Sequence, residues 1–135
     1  MVEIVNATRT KLQLKSLEHI AEFVLARFKA SAKEVSIAII GDIKMRRHNA
    51  DYRGKDRPTD VLSFTGEGQW LGEILLDYQQ IKRQAKRLGH TAKFELEFIT
   101  IHGLLHLFGY NDETEVDRLK MIALGDNILK EYYKK

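Results

Sequence analysis

The sequence predicts a single α+β domain over residues 1–135, with about four strands in a mixed sheet and about five helices. Three observations predict it. Short β-favouring runs recur at Val2–Asn6, Val35–Ile40, Val61–Phe64 and Trp70–Leu76. Between them lie longer stretches whose apolar residues return every three or four positions, the period of a helix. No repeat, low-complexity segment or linker divides the chain, and 135 residues bury a core without staples.

In order, Val2–Asn6 reads as a strand. Leu14, Leu17, Ile20, Ala21, Val24, Leu25 and Phe28 then mark one face of an amphipathic helix. Val35–Ile40 is a continuous apolar run, as expected of a strand covered on both faces. Gly41 breaks it, and Asp42 is the expected cap of a short basic helix ending near Tyr52. Strand–helix–strand places the first two strands parallel. Arg53–Asp60 reads as a polar loop holding the only proline, Pro58. Val61–Phe64 and Trp70–Leu76, joined by Gly66–Gln69, form an expected hairpin. Asp77 with Gln80 predicts a capping box opening a helix to about Leu88, which Gly89 ends. Thr91 is the N-cap expected for the next helix, which Phe94, Phe98, Ile101, Leu105 and Phe108 pattern. The last helix runs from Thr114 to about Tyr133, with Leu119, Ile122 and Leu129 expected on its inner side.

The chemistry concentrates in His102–Asp112, H-G-L-L-H-L-F-G-Y-N-D. His102 and His106 stand one helical turn apart, so both rings can reach a single ion. Gly109 fits the left-handed residue just past the helix end and swings the following chain back toward the histidines. Asp112 then becomes the third ligand expected of a metal centre. Two histidines and a carboxylate, with a position left for water, make a catalytic zinc shell. The bland alternative is a pair of hydrogen-bonded histidines and an acid in a helix-ending turn. It is disfavoured because histidines buried in so apolar a helix need partners. Zinc proteases place a glutamate after the first histidine as general base; here that residue is Gly103, so the spacing points to a metal and the glycine away from a conventional zinc protease.

Composition narrows the donors further. With no cysteine, His, Asp and Glu are the metal ligands available. The start of the chain lacks a basic-then-apolar signal pattern and no apolar run has the length of a membrane span, so a cytoplasmic protein is expected. The net charge of +3 hides a strong asymmetry. Lys44–Arg57 holds six Lys or Arg against two Asp, and Lys82–His90 holds four with no acid. That suits a polyanionic partner. Lys55, Lys82, Arg83, Lys86 and Arg87 are the candidate substrate contacts, against the alternative of a merely solvated face. Glu113, Glu115 and Asp117 read as acids complementing a helix N-terminus rather than as ligands.

Asn49–Phe64, N-A-D-Y-R-G-K-D-R-P-T-D-V-L-S-F, and His102–Asp112 together resemble the YbeY family of bacterial endoribonucleases, with Leu71–Ile74 fitting the strand between. The resemblance covers nearly the whole chain in order and spacing. It implies one α+β domain, a zinc ion in an H-x3-H-x5-H site, and cleavage of single-stranded RNA. It also implies roles in 16S ribosomal RNA 3′-end maturation and ribosome quality control, hence ribosomal partners. His102 and His106 match the first two ligands, and the arginine of the family's Y-R-x-K-D loop falls on Arg53. One departure stands out: the family's third ligand is histidine, and here it is Asp112. A carboxylate is a legitimate zinc ligand, but a harder one, which opens the site to manganese, iron or nickel. Arg53 is expected to clamp the scissile phosphate rather than pair with Asp56 or Asp60. Asp60 and metal-activated water remain alternatives for the general base. Three rival readings stay open at this stage. They are a metal hydrolase of another bond, a ribosome-assembly factor with a structural metal, and a non-haem iron oxygenase.

Overall fold

Runs of Val, Ile and Leu pair into one mixed sheet in the computed structural model, which describes residues 1–134. The strands are β1 (Val2–Asn6), β2 (Glu34–Ile40), β3 (Val61–Thr65) and β4 (Trp70–Asp77), in the order β1-β2-β4-β3. β1 and β4 both run parallel to β2, and β3 returns antiparallel on β4 as the predicted hairpin. Five helices complete the described residues: α1 (Leu14–Arg27), α2 (Asp42–Arg53), α3 (Tyr78–Leu88), α4 (Ala92–Leu107) and α5 (Glu115–Lys134).

Strand alternation divides the core. Val35, Ile37, Ile39, Ile74 and Leu76 pack with α1, α4 and α5 through Leu17, Ile20, Ile101, Leu104 and Ile128. Ile40, Leu62 and Leu75 form a smaller cluster with Met45 of α2. β2 is thus covered on both faces, more thinly on the second. α4 lies at the centre, packed on α1, α3, α5, β3 and β4. A helix apolar on nearly every side has to be buried this way.

Gly103 sets how closely α4 approaches the hairpin. A Cβ there would lie 3.0 Å from Ile74 Cγ2 and 3.1 Å from Val61 Cγ2. The carbonyl of Gly103 also accepts a hydrogen bond from Ser63 Oγ at 3.0 Å. The position that carries a protease base elsewhere is here a helix–sheet contact. It brings His102 and His106 beside β3.

Four local expectations are corrected. The cap of α2 is Gly41; Asp42 is the first helical residue, because its carboxylate is held by Arg83 and its N–H by Gln79 Oε1. α2 also runs on through Arg53, which is helical rather than in the loop. The capping box on α3 is half-formed: Asp77 accepts from the Gln79 and Gln80 N–H groups, but the Gln80 side chain turns to Arg83 and Gln84. Leu119 is 53% exposed. Met121, Gly125, Ile128 and Leu129 make the inner face of α5, so Leu129 lies inside as expected while Ile122 is only half-buried.

Candidate metal centre

Helix geometry and a tight turn build the site. Thr91 Oγ1 caps α4 by accepting from the Phe94 N–H, as expected. At the other end Gly109 adopts φ +97°, with Gly109 N–H bonded to the His106 carbonyl and Tyr110 N–H to that of Leu105. These two bonds satisfy the last carbonyls of the helix and reverse the chain. The reversal is seated on α1: Phe28 stacks on Phe108 at 4.5 Å and meets Tyr110 edge-on. Asn111 Oδ1 then accepts the Glu113 N–H, tightening the turn that carries Asp112.

The outcome is one cluster. The ligand atoms of His102, His106 and Asp112 all lie within 4.8 Å of one another. Asp112 Oδ2 is 3.8 Å from His102 Nε2 and 3.9 Å from His106 Nε2, too far for hydrogen bonds. Donors at ~2.1 Å from a tetrahedral zinc sit roughly 3.4 Å apart, so the gap is close to the size of an ion. His106 Nδ1 lies 3.1 Å from the Tyr110 carbonyl, a contact that leaves Nε2 free for the cluster. Burial, with His106 alongside, holds the His102 imidazole below its ordinary pKa, against the pull of Asp60 and Asp112. Neutral imidazole is the form that binds metal. The donor set and its spacing fit a divalent metal. Glu113 is not in the cluster, and Glu115 and Asp117 lie in the first turn of α5.

The cluster forms one wall of an open pocket of about 550 Å³, with Arg53, Thr59, Asp60 and Ser63 on the others. Asp56 is taken by Arg46, in a two-pronged ion pair with contacts of 2.7 and 3.0 Å. Arg53 makes no ion pair among the described residues and lines the pocket. Asp60 is anchored instead by an amide: Gln84 Nε2 donates to it at 3.1 Å and to buried Glu95 at 3.2 Å, while His90 bonds Glu95 at 2.7 Å. Gln84 in turn accepts from Gln80, and Gln80 from Arg83. A belt of side chains therefore runs from α2 to the pocket.

A family model described as Endoribonuclease YbeY matches residues 3–133. The chain belongs to the YbeY family. It is 35% identical over 150 residues to the Endoribonuclease YbeY of Bacillus pumilus, covering 98% of this chain and 94% of that one. To the Geobacillus thermodenitrificans YbeY it is 38% identical over 138 residues, covering 91% and 88%. The solution structure of TM1509 from Thermotoga maritima aligns with a TM-score of 0.65 at 24% identity, over 99% of this chain and 93% of that one. That likeness concerns the fold.

Within this YbeY-family site the sequence-predicted residues divide. His102, His106, Asp112 and Arg53 meet at one pocket. Lys55 stands beside it, in an adjoining pocket that shares Arg53. Arg83 has its charge matched by Asp42 at 2.8 Å, which removes it from the free cations. Lys82, Lys86 and Arg87 are exposed on α3 and line neither pocket. Sequence reasoning missed Ser63, Gln84 and Glu95. Gln84 and Glu95 carried one weak signal, a polar residue at the margin of an apolar face. Among the described residues no helix is long and apolar enough to cross a membrane.

Proposed function

We propose that the protein is a zinc-dependent endoribonuclease that cuts single-stranded RNA. We place it in the cytoplasm, in 16S ribosomal RNA 3′-end maturation and ribosome quality control, with the ribosome as partner. The observation carrying this reading is Arg53, without an ion pair among the described residues, lining one pocket with the His102–His106–Asp112 cluster. Family membership supports RNA as the substrate.

His102, His106 and Asp112 would hold the metal. A bound divalent metal supplies Lewis-acid polarisation of a phosphate and a nucleophile at neutral pH. Arg53, fixed in charge and able to donate two parallel hydrogen bonds, grips the scissile phosphate and offsets the charge that develops on it. Asp60, which lines the same pocket and accepts from Gln84, is the side chain we assign to take a proton from attacking water, metal-activated water being the other candidate base. Three protein donors beside an open pocket speak against a closed structural metal. The same donor set occurs in iron oxygenases, but unpaired cations around the pocket suit a polyanion better.

The test is cleavage of labelled single-stranded RNA, duplex RNA and casein by purified protein, with and without chelator, alongside metal analysis. Chelator-sensitive cutting of single-stranded RNA alone is expected. Arg53→Ala should keep its metal and lose cleavage by ~100-fold or more, with Arg53→Lys recovering part. Chelator-resistant cutting, or full activity in Arg53→Ala, would overturn the assignment.

A further inference from the structure

Beside the metal pocket lies a second, of about 340 Å³, which shares Arg53, Thr59 and Asp60 with it. Its remaining wall brings Lys55 and Arg57 to the same opening. Five cations elsewhere have carboxylate partners, Arg27 with Glu131, Arg46 with Asp56, Arg83 with Asp42, Lys93 with Glu97 and Arg118 with Glu115, while others such as Lys82, Lys86 and Arg87 are exposed but line neither pocket. Arg53, Lys55 and Arg57 have no carboxylate partner among the described residues. Asp56, the acid between them in sequence, is drawn away to Arg46.

The loop bearing these cations is set before any ligand arrives. Asn49, 1% exposed, donates its amide to the Arg57 carbonyl at 2.8 Å. Lys55 N–H bonds the Asn49 carbonyl and Arg57 N–H that of Lys55. Gly54 carries the chain out of α2 at φ +66°, and Pro58 stiffens the far end. The carboxamides on the opposite wall are engaged already: Gln84 spans Asp60 and Glu95, and Gln80 spans Gln84 and Arg83. What the pocket has left to offer is chiefly positive charge on a fixed backbone, beside one buried acceptor, Asn49 Oδ1, that has no partner among the described residues.

We propose that Lys55 and Arg57 form a subsite for the phosphodiester next to the scissile one, so that the protein grips two consecutive phosphates of a single strand. This rests on the endoribonuclease reading and adds to it a minimum substrate. A linkage at the metal pocket is insufficient without a charged neighbour on the Lys55–Arg57 side. Because the grip is on phosphate, it is indifferent to base identity.

The experiment uses a short fluorescent single-stranded RNA in which each linkage in turn is made a neutral methylphosphonate. Binding is read by anisotropy on metal-free protein, and cleavage on metal-loaded protein. In wild type, two adjacent linkages should be sensitive, and neutralising the flanking one should weaken binding about tenfold, the size of one charge-assisted contact. Lys55→Gln/Arg57→Gln should abolish that second sensitivity and keep the first. Its slope of log affinity against log salt should fall by about 0.7, the value for one single-strand phosphate contact. Both side chains are exposed and unbonded, so the variant is expected to fold as wild type. Equal methylphosphonate sensitivity in wild type and variant, with RNA still cut, overturns the subsite and leaves the endoribonuclease reading intact. Failure of wild type to bind or cut any RNA overturns both.

Discussion

At Asp112 a single side chain separates two accounts of the site. It is 48% exposed, against 15% for His102 and 25% for His106, so it closes the cluster from the solvent side. As a ligand, its removal in Asp112→Ala should lower metal affinity by well over the ~10–100-fold that losing a supporting partner costs. Asp112→His should keep the metal and shift preference toward zinc. Metal titration decides; unchanged affinity in Asp112→Ala would remove this residue from the site. Gly103 makes the complementary test. Placing glutamate there, as zinc proteases do, would drive a charged chain into the contact with Ile74 and Val61. Gly103→Glu should cost roughly 3 kcal/mol or more in urea unfolding and confer no protease activity. The clustering of His102, His106 and Asp112 was legible in the sequence because it follows from helix period and one glycine turn. Arg53 needed a known family's motif, since one arginine in the last turn of a basic helix has no pattern that singles it out. The role of Gly103 was visible only as an absence, because its reason lies on two other strands.

Between elements, Asp77 joins three of them: it ends β4, caps α3 and faces Asp42 at the head of α2. It is fully buried, and its Oδ2 receives no hydrogen bond among the described residues. Burial, then the neighbouring Asp42 carboxyl, pushes its pKa up to about 7. Asp42 goes the other way, to about 2, chiefly through Arg83. The signs differ accordingly. A raised acid stabilises the fold fully below its unfolded pKa near 4 and loses that contribution as pH climbs through about 7. The Asp42 contribution is present above pH ~4 and lost toward pH 2. Wild type should therefore lose up to a few kcal/mol from this group between about pH 4 and 7. Asp77→Asn, which keeps the cap acceptor and replaces the acid proton with an amide, should flatten that slope. Urea midpoints at about pH 5 and about pH 8 would show it, and parallel slopes would refute it. Such a pairing was beyond sequence reasoning, which saw two separate caps. Part of the inner face of α5 was missed for a related reason. Leu119 and Met121 are both apolar, and only the packing of Gly125 against Phe98 selects which faces inward.

On the scale of the whole molecule, the hydrophobic core is built apart from the His102–His106–Asp112 cluster. The core clusters draw on the sheet and the helices, and neither histidine belongs to them. His102→Ala/His106→Ala should remain folded by circular dichroism with stoichiometric metal binding lost. Wild type at about 100 times the metal Kd should gain ~2.7 kcal/mol, a rise in Tm of about 10 °C that the double variant does not show. Retained stoichiometric metal in that variant would end the ligand assignment. The order β1-β2-β4-β3 was half legible: the crossover and hairpin could be read, while the pairing of β2 with β4 is a long-range choice that no local pattern carries. The seating of the Phe108–Tyr110 turn on Phe28 has a kinetic side. Two donors sit on a rigid helix, and the third hangs on a short arm beyond that aromatic hinge, at the solvent edge. With a metal held by these three side chains, its exchange would call on the arm to move while the helix keeps its two histidines in place. Release should proceed donor by donor from the outside. The occupant of the site would follow whatever ions surround the protein within its lifetime, rather than being fixed when the chain folds.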